Sequence, residues 1–502
     1  MLTILVFLSG IMDTPDIIYK NYLQKSINKH LAIDLLVSTI ENVDDVQKRL
    51  ESIKILGQMG VKEENVFTLL ENLLISDSHN NIRKTAAEVL KNNFLERIFK
   101  PMKWVLENED YLPLLLIACN ALVKMNTDDS KELLINILST LSDQKFEVSQ
   151  DSIRKFSTLD LGNILKNSYI IEELEKKFGQ LNYVLNGIFV TELDLSDVSS
   201  HVFGWNVLNK FPDYLGELNN LKKLDLKFNR LSRLSNSLGK LIALVELDLS
   251  YNKIKSLPNS IENLKSLKYL SLKYNKIKNL PFSIGKLKDL HELDCRSNLI
   301  SSLPKSMKNI SNLEVLDLHG NSLEDFPKLK GLKSLKILEL GLNNFVKLPK
   351  TIKYLKNLRI LGLGGNRIEH LPKWINSLKR LEILKLYDNM ITELPNNIGE
   401  LKNIRDLALW NNKIDSLPEG FKRLKSLKVL NLNWNKFSSL PSWIGELKSL
   451  EQLSLWGNKI ENLPSSLQNL SNLRILDLNF NLISEIPEFL KKLERKGLII
   501  YK

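Results

Sequence analysis

Two cysteines and six histidines in 502 residues leave little material for metal or redox chemistry. Cys119 and Cys295 cannot build a disulfide framework, and each sits in an apolar pattern that reads as core. His30, His79, His201, His291, His319 and His370 are scattered, with no pair at ligand spacing, so no metal site is legible. No stretch approaches the ~18 charge-free apolar residues that a membrane-crossing helix needs. Nucleophile-elbow, kinase and zinc-helix signatures are missing as well. Gly362-Leu-Gly-Gly-Asn brushes a phosphate-loop pattern, but it lies in a strand-like segment, lacks the following Lys-Ser/Thr and opens no helix. No segment is left over for a catalytic domain. The sequence predicts binding rather than catalysis, with no cofactor.

What is abundant is one phrase, L-x-x-L-x-L-x-x-N-x-I-x-x-L-P-x-x-I-x-x-L-x-x, recurring from Leu221 onward. Its asparagine falls at Asn229, Asn252, Asn275, Asn298 and Asn321; a 22-residue step leads to Asn343, and 23-residue steps then reach Asn481. Proline holds its place from Pro258 to Pro487, with Ser235 replacing it once. An earlier unit has Val190-Thr-Glu-Leu-Asp-Leu195 as its strand and Asn206–Pro212 as its return, with eight extra residues between. A period of this length means a solenoid, because each unit buries its apolar face only by stacking on its neighbours. Leu-x-Leu alternation gives a strand with one buried and one free face. The asparagine can satisfy backbone groups of the neighbouring turn, and the proline fixes φ where the chain leaves the strand side.

The phrase resembles the leucine-rich repeat, and its L-P-x-x-I half is similar to the intracellular Ras-suppressor-like group. The resemblance covers 13 repeats and about three-fifths of the chain. It implies an α/β leucine-rich repeat solenoid, a horseshoe with a parallel β-sheet on its concave wall. It also implies a scaffold binding a protein ligand, with scaffolding or regulation around a small GTPase or kinase pathway. Extracellular members usually carry cysteine clusters at the array ends, and none is present, so the expected location is cytoplasmic. Residues 1–11 (Met1-Leu-Thr-Ile-Leu-Val-Phe-Leu-Ser-Gly-Ile) resemble a shortened signal core without its basic start or cleavage site. Met12 opens a more ordinary amphipathic stretch, so an extra N-terminal segment and a targeting segment both stay open.

Before the array, the apolar period turns helical, with stripes at Val46–Leu56, Leu69–Leu74, Ile82–Leu90, Leu112–Val123 and Leu133–Leu141. Ser52…Leu56, Ala86…Leu90 and Ala118…Leu122 take like places, stepping by 34 and 32 residues. Ile82–Leu90 resembles the second helix of a HEAT-like repeat, and an irregular helical bundle is the alternative. The expected organisation is an all-α domain at 12–150, a helical linker or cap at 151–189 with its helix at Glu172–Leu181, and the repeat array at 190–487. A C-terminal cap at 488–502 completes it, with a helix Glu488–Lys496 and a strand Leu498–Tyr501. Residues 1–186 hold 21 basic and 26 acidic residues, a net of −5; the remainder holds 70 − 21 = 49 and 58 − 26 = 32, a net of +17. The basicity belongs to the array.

The expected concave face is where residues vary without a structural demand. At the fifth position of the phrase an acidic stripe runs through Asp225, Asp248, Asp294, Asp317 and Glu339, flanked at the third by Glu192, Glu246 and Glu292. Toward the C-terminus the seventh position becomes Tyr387, Trp410, Asn433 and Trp456, with Trp434 at the eighth. Ile337, Ile360 and Ile383 run beside an expected notch at Gly362, Gly364 and Gly365. Large aromatics bury about 150–250 Å² each and anchor interfaces, so these residues are the candidate partner site. Stacking on one another is the competing explanation. Lys333, Lys356, Lys379 and Lys402 share one repeat position and form a candidate basic rim. Docking of nucleic acid or acidic lipid on that rim is the alternative function. Nucleic acid is the poorer fit, because bases would meet acidic side chains. A passive spacer is a further alternative.

Overall fold

The structure, a computed structural model, describes residues 14–141, 150–198 and 207–502. Residues 1–11, and most of the first repeat's insertion up to Asn206, lie outside the described residues. The chain divides into two compact units, Met1–Val190 with Glu217–Asn219, and Thr191–Gly216 with Asn220–Lys502.

The first unit is helical: α1 (Pro15–Leu23), α2 (Lys29–Asn42), α3 (Val46–Gln58), α4 (Glu64–Ser76), α5 (Asn80–Asn93), α6 (Phe99–Asn108), α7 (Leu112–Met125), α8 (Asp128–Leu141), α9 (Gln150–Ile153) and α10 (Thr158–Phe178). Side chains cap several of them, as where Asn28 Oδ1 accepts from Leu31 N and Asp45 Oδ1 from Gln47 N, both at 2.8 Å. Ser52, Ala86 and Ala118 are fully buried, as are Leu56, Leu90 and Leu122, so the like places in sequence are like places in packing. The small residues allow helix backbones to approach closely. The same 34-residue step carries a polar device. Arg49 Nε donates to Ile40 O and Arg83 Nε to Leu74 O, each nine residues back at 3.0 Å. Arg49 then pairs with Asp77 at 2.5 Å, and Arg83 with Glu109.

The last helix differs from the expectation of Glu172–Leu181. It starts already at Thr158, where Ser157 and Asp160 cap each other's backbone N–H groups, and it stops at Phe178 because Gly179 turns away at φ +83°. Leu181 lies outside it, and the next residues form β1 (Asn182–Asn186), a strand that the sequence pattern did not reveal. Polar Asn at both its ends and few β-branched residues hid it.

Strands follow one per repeat: β2 (Phe189–Asp194), β3 (Lys223–Asp225), β4 (Glu246–Asp248), β5 (Tyr269–Ser271), β6 (Glu292–Asp294), β7 (Val315–Asp317), β8 (Ile337–Glu339), β9 (Ile360–Gly362), β10 (Ile383–Lys385), β11 (Asp406–Ala408), β12 (Val429–Asn431), β13 (Gln452–Ser454), β14 (Ile475–Asp477) and β15 (Ile499–Tyr501). Together with β1 they make one 15-stranded sheet in chain order. From β2 onward neighbours pair in parallel with matching repeat positions opposite each other, as in Leu224↔Leu247 and Leu247↔Leu270. The central leucines are buried throughout. The cap helix is α11 (Glu488–Glu494), and β15 pairs with β14.

The asparagines do the work expected of them. Asn298 Nδ2 donates to Leu272 O (2.9 Å) and Cys295 O (3.1 Å), while its Oδ1 accepts from Ile277 N at 3.0 Å. Two successive repeats are tied by one buried amide. On the far side of most repeats the chain forms a five-residue 3-10 turn, with the proline just before it at φ between about −60 and −75°. Ser235 substitutes by another route: its hydroxyl accepts from Ser237 N at 3.2 Å, so the turn is capped by a side chain. Gly285 sits where a Cβ would come within 2.3 Å of Ser306 O in the next repeat, which sets how closely these turns stack. The 22-residue repeat around Pro327 has no 3-10 turn, so the shortened unit loses that element rather than its strand. Cys119 and Cys295 are both buried and unpaired, and burial pushes the Cys119 thiol up to about 12.

Candidate functional site on the exposed face of the sheet

Each three-residue repeat strand buries its central leucine, and most leave both flanking residues partly exposed on the other face; Asp294 and Gly362 are buried there. The parallel register stacks like positions into columns. Asp194, Asp225, Asp248, Ser271, Asp294, Asp317 and Glu339 stand side by side, and so do Ile337, Ile360 and Ile383.

The acidic column is only partly neutralised. Lys227 Nζ reaches Asp225 at 2.7 Å. Arg296 grips Asp294 through Nε (3.1 Å) and Nη2 (2.7 Å) and also reaches Asp317 at 3.2 Å. Asp294 is only 6% exposed, and this clamp is what permits its burial. Asp317 is pushed up to about 6 by burial; the His319 backbone N–H opposes the rise and the Asp294 charge adds to it. The bond to Asp294 raises the Arg296 guanidinium further, and burial lowers the His319 imidazole. Between Asp248 and Asp294 the column is interrupted by Ser271, and a hollow of about 380 Å³ opens there, lined also by Glu246, Tyr269, Lys273 and Glu292.

The expected glycine notch is not open. A Cβ on Gly362 would meet Glu339 Oε2, and one on Gly364 would lie 2.4 Å from the Tyr387 ring. Leu342 covers Gly365 in the same way, at 2.4 Å from a Cβ there. Large neighbours lean across these glycines, which is why the glycines are small: Lys385 Nζ holds Glu339 at 2.6 Å directly over Gly362. The isoleucine column therefore runs beside a filled seam.

Beyond the seam the face turns aromatic. Tyr387 and Trp410 stack at 4.7 Å with planes only 3° apart. Trp456 is edged by Trp434 at 4.9 Å and by Phe480 at 5.9 Å. The rings thus do pack on one another, and the cluster is only partly covered: Trp434 is 49% and Phe480 75% exposed, while Tyr387, Trp410 and Trp456 are half-buried. Phe480 joins this cluster, which the pattern of tryptophan and tyrosine alone does not reveal. A second aromatic ladder was missed on the acidic half. Phe228, Tyr251 and Tyr274 stack at 4.4 and 4.5 Å, all at the eighth position of the phrase and exactly one period apart. Their 23-residue spacing was legible. The eighth position is left-handed in repeat after repeat, including Phe228, Tyr251, Tyr274 and Trp434 at φ between 50 and 56°.

The lysine rim is partly committed to the scaffold. Lys356 Nζ donates to Ser377 O at 3.3 Å, and Lys379 pairs with Glu400 at 2.9 Å. Lys425 and Lys448 repeat this with Glu446 O (3.1 Å) and Asn469 O (2.7 Å), each 21 residues on. Lysines at this position therefore cap the end of the next repeat's 3-10 turn. Lys333 and Lys402 show no such bond among the described residues. No helix among the described residues is long and apolar enough to cross a membrane. No cluster of three acidic, histidine or cysteine side chains there is placed to hold a metal ion.

A leucine-rich repeat region family matches residues 259–340 and 375–495, and a leucine rich repeat family matches 219–277. No curated protein matches. Among solved structures, a leucine-rich repeat protein of Leptospira interrogans is 39% identical, with 59% of this chain and 75% of that one covered and a TM-score of 0.56. PEPR1–AtPEP1 is 28% identical over 63% of this chain and 49% of its own, so this chain spans about half that length; the TM-score is 0.51. An internalin, inlF of Listeria monocytogenes, shares the fold at 22% identity over 66% of this chain and 94% of its own, with a TM-score of 0.55.

Proposed function

The chain belongs to the leucine-rich repeat proteins, and we propose that it is a non-enzymatic scaffold that holds a protein ligand against the exposed face of its sheet. The observation that carries this reading is the aromatic half of the face. Tyr387, Trp410, Trp434, Trp456 and Phe480 form two ring clusters at positions that repeat packing leaves free. Rings exposed to this extent gain by being covered, and aromatic clusters of this kind are the usual anchors of interfaces. Ile337, Ile360 and Ile383 extend the anchor, and Asp225, Asp248, Asp294, Asp317 and Glu339 supply complementary charge on the other half. Similarity to PEPR1–AtPEP1, a structure of two named components, supports a binding role.

Finer assignments belong to the same proposal. The L-P-x-x-I phrase supports a Ras-suppressor-like role around a small GTPase or kinase, and two buried thiols support a cytoplasmic setting. The 34-residue step of Arg49 and Arg83 supports a HEAT-like reading of the helical unit over residues 12–150, with 151–189 as cap, 190–487 as array and 488–502 as C-terminal cap. For the rim, the bonds of Lys356 and Lys379 favour scaffold over steering, and leave Lys333 and Lys402 as its steering charges.

The test is affinity capture with the full chain and its Trp410→Ala/Trp456→Ala variant. Loss of both rings should weaken capture of the bound protein at least tenfold. Melting should fall by no more than a few degrees, because the rings stand at outward positions and stack on one another. Capture that survives the double change would move the site elsewhere or make the array a spacer.

A further inference from the structure

We propose that the hollow between Asp248 and Asp294 seats one arginine or lysine side chain of the protein ligand, at a point distinct from the aromatic anchor. This rests on the sheet face being the binding surface. The hollow exists because Ser271 is the one short residue in a run of carboxylates, and its 380 Å³ is ample for a single long side chain. Its lining is net negative: Glu246, Asp248, Glu292 and Asp294 face the two lining cations Lys273 and Arg296. Arg296 is committed to Asp294 and Asp317, and Lys223 to Glu246 at 3.0 Å. Asp248 accepts the Ser250 backbone N–H at 2.8 Å and feels Lys227 without bonding to it, and neither Asp248 nor Glu292 forms an ion pair among the described residues. One hydroxyl also waits. Ser271, in the lining, has an Oγ with no hydrogen-bond partner among the described residues. A buried hydroxyl without a partner is costly, and this one can accept from an ammonium or guanidinium.

The walls suit the rest of such a side chain. Tyr269 lines the hollow at 46% exposure, and Tyr251 and Tyr274 stand in the turns that follow β4 and β5, half-exposed and stacked at 4.5 Å. Their faces take cations and aliphatic stems alike; Lys273 Nζ already lies 5.8 Å from the Tyr251 ring. A bare metal ion fits poorly, because no three acidic groups among the described residues converge on one point. A guanidinium or ammonium on a flexible stem can meet carboxylates that stay apart. From β5 to β10 is five strand spacings, about 24 Å, or roughly seven residues of extended chain. The ligand's basic residue is therefore placed about seven residues from its apolar anchor.

Random peptides displayed against the full chain test this, with the Asp248→Asn/Glu292→Gln variant as the counter-target. The enriched peptides should carry Arg or Lys at one position. Replacing that arginine by citrulline should weaken binding at least tenfold to the native chain and hardly at all to the variant. The double variant should melt with the native chain, since both carboxylates are solvent-facing. Peptides without a basic residue, equal binding of the citrulline peptide, or no peptide that distinguishes the two proteins would overturn the pocket. Free arginine competing as well as the peptide would overturn the peptide ligand. Failure of the anchor reads out separately: an arginine-dependent peptide indifferent to Trp410→Ala/Trp456→Ala leaves the pocket standing and removes the aromatic site.

Discussion

The two halves of the sheet face share one scaffold and carry opposite chemistries. Around Asn298 and around Asn412 the same amide makes the same bonds: 2.9 Å back to Leu272 O in one, 2.9 Å back to Leu386 O in the other. Above those ladders one half presents carboxylates clamped by Arg296 and the other presents clustered aromatic rings. The repeat thus separates what must be kept from what is free to change, because inward and outward residues alternate along each strand. It also explains why stability and recognition should respond to different substitutions.

The largest effect should come from the shared part. Asn298→Ala leaves the Ile277 N–H without a partner and takes one of two amide donors from Leu272 O and Cys295 O, and Asn412→Ala does the same to Ile391 N–H, Leu386 O and Leu409 O. Each should cost about 2–3 kcal/mol in denaturant titrations, and equally in the two halves. A cost confined to one half would break the claim of a common scaffold. A smaller effect belongs to the acidic half alone. With its folded value raised to about 6 above the usual carboxylate range, Asp317 favours the fold fully below about pH 4. That contribution is lost as pH rises through 6. Asp317→Asn, neutral at every pH, should therefore match the native chain near pH 4 and exceed it by about 1–2 kcal/mol near pH 8, the figure being discounted for partial exposure. Thermal melts across that range check it, and a pH-independent gap would mean that Arg296 already neutralises the site. Smallest is Lys356→Ala, which removes an exposed 3.3 Å bond to Ser377 O and should change stability by no more than about 0.5 kcal/mol. A loss as large as that of Asn298→Ala would make the rim part of the ladder.

Most of the scaffold was legible because periodicity reports it directly. Each asparagine, leucine and proline of the phrase has one environment, repeated, so register followed from spacing. The helix α10 and strand β1 were less legible because their signals are local: a Ser157–Asp160 cap and a Gly179 stop set the boundaries against a weak apolar pattern. The face was legible as columns but not as contacts. Gly362 and Gly364 read as empty space, whereas side chains from flanking repeats fill it, a relation between residues 23 apart that no single repeat displays. Lys356 and Lys379 likewise read as solvated until the next repeat's turn end and Glu400 were seen to take their ammonium groups.

The left-handed eighth position has a further consequence. Side chains other than glycine rarely tolerate that backbone, at about 1–2 kcal/mol relative to the right-handed form. Yet Phe228, Tyr251, Tyr274 and Trp434 occupy it, while Gly320, Gly365 and Gly457 take the same place in other repeats. Exchange between ring and glycine there moves neither the asparagine ladder nor the leucine core. It relieves backbone strain in one direction and adds exposed contact surface in the other. The array therefore contains a row of interchangeable sites at which binding breadth and folding reserve are traded one repeat at a time. A lineage or an engineer could retune its recognition along this row without rebuilding the solenoid.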